Sequence, residues 1–203
     1  MKVLIFSIIF ILCICPRVIA QDDGWRELSS KVELEQSDVD FTIKIPDNFE
    51  NFSQEHHKMV GTVFLIRHNE IPDGSKSITT LNISVEDNPY IGWKKLKEEN
   101  GVQGRLAPSD FFKEIAETEV GMEQLGYRIF SYKRNPALEM ETKTYKPEFH
   151  LMYLHQSLRL IMYGDYMINL VCADFAEKEE NLQHEERNTT ICEPFFNSLT
   201  FNK

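Results

Sequence analysis

The stretch that decides the fold is residues 158–173, which read LRLIMYGDYMINLVCA. Gly164 and Asp165 interrupt two apolar runs. A glycine accepts the positive φ that a tight turn requires, so the pattern predicts a hairpin of two antiparallel strands. In the second run, residues 166–173, both alternating faces are mostly apolar. A strand of this kind belongs inside a sheet that is covered on both sides.

Other segments of the chain extend this sheet. Alternating apolar and polar residues predict strands at 32–35, 39–45, 62–66, 78–85, 127–133, 139–145 and 149–155. Residues 36–38 and 155–157 are interpreted as turns between successive strands. Helical spacing predicts helices at 90–99, 109–125 and 190–199, and residues 177–187 are expected to form a solvated loop or helix. We therefore predict an α+β fold, an antiparallel β-sheet covered by helices on both faces (an α/β/α sandwich).

The first twenty residues have the pattern of a signal peptide. Lys2 precedes an apolar run of about twelve residues, too short to cross a bilayer, and Val18 and Ala20 place small side chains where a signal peptidase cleaves. We predict three parts: residues 1–20 as signal peptide, 21–31 as a flexible N-terminal segment and 32–203 as a single α/β domain. The product would be exported, either periplasmic or extracellular, with an uncleaved anchor as the alternative.

Two of the four cysteines, Cys172 and Cys192, remain after cleavage. An even number of cysteines in an exported protein favours a disulfide, because the redox environment lets the bond persist. Two free buried thiols are the alternative. We predict that Cys172 and Cys192 pair and join the last predicted strand to the last predicted helix.

The charge balance of the sequence restricts the classes of partner that the protein can bind. The chain has 32 acidic and 22 basic residues, a formal charge of -10, and loss of Lys2 and Arg17 with the signal peptide would change this to -12. A nucleic-acid surface needs clustered cations, so nucleic acid is not an expected partner. No later apolar stretch has membrane-spanning length, so the cleaved chain is predicted to have no integral membrane segment.

One basic and aromatic cluster stands out in this acidic chain. It contains Tyr90, Trp93, Lys94, Lys95 and Lys97. The cluster could bind an anionic lipid headgroup or an acidic protein, with Trp93 as the anchor. A short amphipathic helix, with Trp93 against the sheet and the lysines in water, is the alternative.

No motif assigns a catalytic or metal site. His56 and His57 are adjacent, and His68, His150, His155 and His184 are scattered, without the spacing of zinc ligands. A serine-nucleophile elbow, a glycine-rich phosphate loop and a dinucleotide fingerprint are all absent from the sequence. We therefore predict no catalytic residues, no metal and no cofactor. A carboxylate pair remains possible because acidic residues are abundant.

The order of elements resembles the PsbP-like family, which includes the Ran-binding Mog protein. The resemblance rests on an N-terminal hairpin running into Pro46, a long helix at 109–125, and the closing phrase PFFNSLTF at residues 194–201. It implies a PsbP-like fold and a role in binding or assembly rather than catalysis. The exported, acidic, cysteine-poor chain also looks like a small secreted factor of a Gram-negative bacterium, such as a type II secretion substrate used on host cells.

These observations lead to one main functional hypothesis. The chain is predicted to be a secreted or periplasmic, non-enzymatic interaction module that binds a protein or surface ligand, in the manner of a virulence or host-interaction factor. The first alternative is a secreted hydrolase that uses carboxylate or histidine residues. The second is peripheral binding to anionic lipid through Trp93 and the neighbouring lysines.

Overall fold

Two antiparallel sheets form the framework of the protein. The computed structural model describes residues 24–34, 38–52, 61–118, 122–144 and 152–202, and the predicted signal peptide lies outside these ranges. The strands are β1 Trp25–Ser29, β2 Phe41–Pro46, β3 Glu50–Asn51, β4 Thr62–Asn69, β5 Ser77–Asp87, β6 Met122–Tyr132, β7 Asn135–Thr144, β8 Tyr153–Tyr163, β9 Tyr166–Ala176 and β10 Thr200–Phe201.

The helices are short and lie between and after the strands. They are α1 Ser30–Glu33, α2 Pro89–Glu99, α3 Pro108–Glu117, α4 His184–Arg187 and α5 Glu193–Ser198. A 3-10 turn spans Glu179–Asn181, and a π-helical turn at Asn188–Cys192 connects α4 directly to α5.

Within the described residues, the larger sheet has seven strands in the order β3-β4-β5-β9-β8-β7-β6, and the smaller has the order β1-β2-β10. The predicted hairpin at Gly164 is confirmed, since Tyr163 pairs with Tyr166 and Gly164 has a φ of 59°. This hairpin places β8 and β9 inside the large sheet, where both faces are covered over part of their length.

The two faces of the large sheet have different covers. On one face, α2 and α3 pack over β6 to β9, with Phe111 and Phe112 against Leu138 and Leu160. On the other, the small sheet and the C-terminal helical segment enclose the larger core, which includes Phe41, Leu81 and Phe195. The fold is α+β as predicted, but the second cover differs from an α/β/α sandwich because much of it is a β-sheet.

The predicted turn at residues 155–157 is wrong. These residues lie inside β8, which runs without interruption from Tyr153 to Tyr163. His155 and Ser157 are buried, at 4% and 8% exposure. Both residues belong to an internal hydrogen-bond network. In the sequence alone, polar residues between two apolar segments resemble a turn.

The predicted helix at residues 109–125 is too long. Helix α3 ends at Glu117, and Thr118 adopts an extended backbone. Met122, which lies within the predicted helix, begins β6 and pairs with Thr144. Pairing with β7 along the length of β6 overrides the local helical spacing.

The N-terminal prediction also requires correction. Residues 25–29 lie in the segment expected to be flexible, yet they form β1 and pair with β2. Residues 30–33 form the turn α1 where a strand at 32–35 was expected. Ser30 explains this turn, because its Oγ donates to the carbonyl of Val39 at 2.7 Å and accepts from the amide of Phe41 at 2.9 Å. The predicted turn at 36–38 lies partly outside the described residues.

Candidate binding groove

A groove opens on the face of the large sheet that carries the C-terminal helical segment. Strands β6, β7 and β8 form its floor, the π-helical turn and α5 form its wall, and its volume is about 390 Å³. Every second residue of a strand points to the same face of a sheet. Side chains from three strands, which are apart in the sequence, therefore meet on the floor of the groove. The polar and aromatic side chains of the lining include Arg128, Glu139, Glu141, Ser157, Arg159, Asn188, Glu193, Phe196 and Asn197.

Arg159 is the central cation of the groove and is only 3% exposed. Its Nε donates to Oε2 of Glu139 at 2.9 Å, and its Nη1 donates to Oδ1 of Asn197 at 3.1 Å. A guanidinium group near aromatic rings is further stabilised by cation–π attraction. The guanidinium carbon lies 4.9 to 5.5 Å from the ring centroids of Phe130, Tyr132 and Phe196.

Glu139 is shared between two arginines. Besides Arg159, it accepts hydrogen bonds from Arg128, whose Nε and Nη2 lie 2.9 and 2.7 Å from Oε1. The buried Arg159 therefore has a counter-charge, and Arg128 extends the same cluster to the exposed edge of the sheet. One carboxylate between two guanidinium groups leaves this cluster with one net positive charge.

Glu141, the next residue on the same face of β7, is held by different partners. Its Oε1 accepts from Nδ2 of Asn188 at 2.9 Å and lies 3.3 Å from Nε2 of His155. Oδ1 of Asn188 in turn accepts from Ser157 and Arg187, each at 3.0 Å. Glu141 thus links the sheet to the π-helical turn.

His155 is the titratable group beneath this network. Nη2 of Arg187 lies 2.7 Å from its Nδ1, and an arginine can only donate, so Nδ1 accepts and Nε2 carries the hydrogen that faces Glu141. Burial, followed by the positive charges of Arg187, His184 and Lys143, lowers the pKa of His155 to about 4. The imidazole is therefore neutral at pH 7.

Acidification is expected to destabilise the protein through His155. The folded-state pKa of about 4 lies below the unfolded value of 6.5, so this contribution to stability is complete above pH 6.5 and is lost as the pH falls towards 4. Between pH 7.5 and 5 we expect a loss of about 2 kcal/mol from this residue. Urea unfolding of wild type and His155→Gln at both pH values measures it.

The control for this experiment is His68→Gln, since His68 is exposed on β4. It should leave the pH dependence unchanged, whereas His155→Gln should flatten it. Equal pH dependence in wild type and His155→Gln would show that His155 is not the group responsible.

A buried ion pair lies deeper, between α4 and the sheet. Nη1 of Arg187 is 3.5 Å from Oδ2 of Asp174, and the two side chains are only 1% and 2% exposed. Oδ1 of Asp174 accepts from Oγ1 of Thr79 at 2.7 Å. Burial raises the pKa of Asp174 and lowers that of Arg187, because it disfavours both charged forms. The pair ties the short α4 to the centre of the protein.

The charged groups on the floor of the groove are thus engaged by internal partners. A general acid or base must exchange a proton with a substrate, so it needs a free lone pair or proton directed at the bound molecule. Glu139 has no such free lone pair, since arginines hold both of its oxygens, whereas Glu141 is held by Asn188 and His155 through Oε1 alone. This arrangement presents a rigid surface of donors and acceptors, which suits recognition.

The predicted basic and aromatic cluster lies on α2, on the opposite face of the sheet from the groove. The rings of Tyr90 and Trp93 are directed at Phe111 of α3, with centroids 6.0 and 5.5 Å away. Nζ of Lys97 lies 5.7 Å from the centroid of the Trp93 ring and 2.8 Å from Oε2 of Glu114. This ammonium group holds the pKa of the Glu114 carboxyl below its ordinary value.

The other two lysines of the cluster point outwards. Nζ of Lys94 is 3.9 Å from Glu98, and Nζ of Lys95 is 3.9 Å from Glu99, one helical turn along in each case. Exposed pairs of this kind contribute little to stability, so the lysines remain accessible while part of their charge is balanced.

The predicted disulfide is present. Sγ of Cys172 on β9 and Sγ of Cys192 at the end of the π-helical turn are 2.11 Å apart. Both cysteines are buried, and Cys192 also lines the groove. The bond therefore anchors the groove wall to the sheet.

Sequence reasoning did not identify the groove. A signal was available, since Glu139 and Glu141 on one strand, and His155, Ser157 and Arg159 on the next, repeat with a period of two. Polar residues with this spacing share one face of a sheet. The ring of His184 lies beside that of His155, with centroids 4.7 Å apart and planes tilted by 34°, whereas His56, His57 and His150 lie outside the described residues.

Within the part of the chain that the structure describes, no three His, Cys, Asp or Glu side chains are grouped as metal ligands would be. No helix in the same ranges has the length and apolar character needed to cross a membrane.

Comparison with known proteins finds similar solved structures but no family. No model of a known protein family matches the sequence, and no curated protein matches it. Among solved structures, cyanobacterial PsbP from Synechocystis sp. PCC 6803 is 8% identical with a TM-score of 0.46, covering 88% of this chain and 93% of its own. The Ran-binding protein Mog1p of Saccharomyces cerevisiae is 9% identical with a TM-score of 0.47, covering 87% and 94%.

The two antiparallel sheets and the short helices place the protein in the class of α+β folds. The solved structures that are similar to it include PsbP and Mog1, the two proteins that the sequence resemblance names. At this level of identity and structural overlap the likeness concerns the fold alone.

Proposed function

We propose that this protein is a non-enzymatic interaction module that binds a protein or surface ligand in the groove. The observation that carries the proposal is the fixed pairing of the groove's charges, above all Glu139 between Arg128 and Arg159. Preorganised polar groups beside an aromatic ring favour affinity and specificity, since they lose little conformational freedom on binding.

Export is part of the same proposal. The apolar N-terminal segment and the Cys172–Cys192 disulfide support a site of action outside the cytoplasm. There the module would act as a secreted or periplasmic factor at a host surface, as a type II secretion substrate with a role in virulence.

A site-specific photocrosslinker tests the groove as the binding site. A benzoylphenylalanine replaces Glu193, an exposed residue of the groove wall, or Glu185, an exposed residue of α4 outside the groove lining, as control. Both proteins are irradiated with envelope and host-surface extracts. We expect one discrete adduct from position 193 that is absent from position 185. The same adducts from both positions, or none from 193, would contradict the groove.

The partner identified in this way allows a quantitative measurement. Arg128→Glu should weaken its binding about tenfold or more, since it reverses the exposed charge of the groove and leaves Glu139 facing another acid. Lys113→Glu, on the exposed side of α3, is the matched control and should leave the affinity unchanged. A hydrolase would instead show turnover of ester, glycoside or phosphate substrates that is lost in Glu141→Gln.

A second candidate function is supported by the outer side of α2. Ile91 and Leu96 are 56% and 57% exposed beside Lys94 and Lys95. We propose these apolar side chains, rather than the inward-facing Trp93, as anchors for peripheral binding to anionic lipid. In flotation with phosphatidylcholine–phosphatidylserine vesicles, Lys94→Glu with Lys95→Glu should abolish binding. Unchanged flotation would contradict this function.

A further inference from the structure

Strand β6 forms a long edge of the large sheet. It spans eleven residues, and no strand within the described ranges pairs with its outer side. The opposite edge, β3, has only two residues. Soluble proteins usually shorten, cover or charge such edges, because the unpaired N–H and C=O groups accept another strand.

The side chains of this edge are unusually apolar for their exposure. Tyr127 is 41% and Ile129 is 36% exposed, on the face that carries α3. On the groove face, the aromatic ring of Phe130 is only partly buried. Exposed backbone groups together with exposed apolar side chains indicate an edge that pairs with another strand.

We propose that the occupant of this edge is a second copy of the chain, paired antiparallel, β6 to β6, with Ile129 on the two-fold axis. The irregularity between Gln124 and Gly126 ends the regular part of β6, so residues 126–132 are the segment able to form a regular ladder. Centring the pairing on Ile129 uses all seven of these residues in both copies.

The sequence of β6 is self-complementary in this register. Ile129 faces itself, and residues equally distant from it face one another: Arg128 faces Phe130, and Tyr127 faces Ser131. Arg128 already lies over the Phe130 ring of its own chain, with the guanidinium carbon 5.0 Å from the centroid. Pairing adds a second ring to that contact and places no like charges opposite each other.

The ends of the strand are also complementary in charge. The turn after β6 is basic, with Lys133 and Arg134, whereas Glu123 lies near its start. Antiparallel pairing brings the basic turn of each copy alongside Gln124 and the neighbouring Glu123 of the other. A register centred on Arg128 would instead place two Arg128 side chains face to face, which is unfavourable.

The pairing would join the two large sheets into one continuous sheet. A two-fold axis perpendicular to the sheet keeps equivalent faces on the same side, so the two grooves, each bordered by Arg128, would lie side by side. The dimer would then be bivalent towards any extended or repeated ligand. The interface itself does not depend on what the groove binds.

The oligomeric state of residues 21–203 tests the proposal directly. Light scattering after size exclusion, over 1 to 200 µM protein, should report a dimer. Ile129→Lys sets two ammonium groups against each other on the axis and should weaken the dimer at least a hundredfold. Ile91→Lys, which changes an equally apolar exposed residue on α2, should leave it intact. Circular dichroism and thermal melting establish that both variants fold.

Cysteine crosslinking tests the register. Residues 172 and 192 already form a disulfide, so an added thiol reports on its own position. Ile129→Cys should give a covalent dimer within minutes of mild oxidation. Tyr127→Cys and Ser131→Cys should each react slowly alone and rapidly when mixed, because they face each other.

Three results would overturn the proposal. The first is a wild-type monomer at every concentration, which would leave the edge to a different partner. The second is a dimer that Ile129→Lys does not weaken. The third is crosslinking of Ile129→Cys no faster than that of Ile91→Cys.

Discussion

Replacing Arg187 by Met is expected to lower the free energy of unfolding by about 3–5 kcal/mol, the largest effect that a single substitution should have here. Met keeps much of the length of the side chain but removes its charge. Asp174, 1% exposed, would then retain its bond from Thr79 but lose its counter-charge. Removing one partner of a buried ion pair leaves an uncompensated charge in a medium that solvates it poorly.

The hydrogen bonds of Arg187 add to this effect. Its Nη1 donates to the carbonyl of His155 at 2.6 Å, a group inside β8 that would be left with one donor fewer. Lys113→Met is the control, because Lys113 forms an exposed pair with Glu117 at 3.8 Å. Such pairs contribute about 0.5 kcal/mol or less, so the control should unfold at nearly the wild-type urea concentration.

The pH dependence separates electrostatics from packing. Without Arg187, the already raised pKa of Asp174 should rise further. An acid whose folded-state pKa exceeds its unfolded value destabilises the fold increasingly as the pH rises between the two values. The difference between wild type and Arg187→Met should therefore be smaller at pH 5 than at pH 7. A difference independent of pH would indicate that only packing was lost.

The polar network explains where prediction from the sequence succeeded and where it did not. The Gly164 hairpin was predictable because the chemistry of its turn is local, and the disulfide because only two cysteines remain in the predicted exported chain. The middle of β8 was not predictable in this way. His155 and Ser157 resemble turn residues until Arg187, some thirty positions later, is known to fold onto them.

Arg187 itself shows the same limitation. It ends an acidic segment, residues 177–187, whose composition predicts a solvated surface. The structure buries it to 2% exposure while Glu185 and Glu186 beside it stay exposed. A single arginine among acidic residues gives little indication in the sequence that it will be buried. Arg187 is buried because Asp174 on β9 lies where the two side chains can form an ion pair.

Two other segments were predicted wrongly for a related reason. Residues 25–29 have little apolar alternation, yet they form a strand because β2 offers them a partner. Residues 122–125 continue a helical spacing, yet they pair with β7. In both places long-range pairing outweighs local preference, as is common for strand formation.

The candidate groove could be predicted only in part. The π-helical turn and α5 were anticipated as a C-terminal helix, tied to β9 by the disulfide, and this forms the groove wall. The floor of the groove could not be predicted from the sequence, because Glu139 and Arg159 become neighbours only through the pairing of β7 with β8. The cluster on α2 could be predicted because its residues are close together in the sequence. Such closeness makes a cluster easy to notice, but it does not determine which residues form a site in the folded protein.

Removing the disulfide by Cys172→Ala with Cys192→Ala should lower the free energy of unfolding by about 3 kcal/mol. The bond closes a loop of 20 residues, and opening it restores freedom to the unfolded chain. The loop contains α4 and most of the π-helical turn, so the groove wall would then be attached by the hydrogen bonds of Arg187 and Asn188 and by the buried side chains of α5.

Denaturation in urea with and without reductant measures this effect and supplies its own control. Reductant should lower the stability of wild type towards that of the double variant and leave the variant unchanged. Native wild type without residues 1–20 retains only Cys172 and Cys192 and should not react with an alkylating reagent, since both sulfurs are bonded and buried. Modification of two cysteines in the absence of reductant would contradict the bond. Equal stability of wild type and variant would show that buried contacts alone hold the groove wall to the sheet.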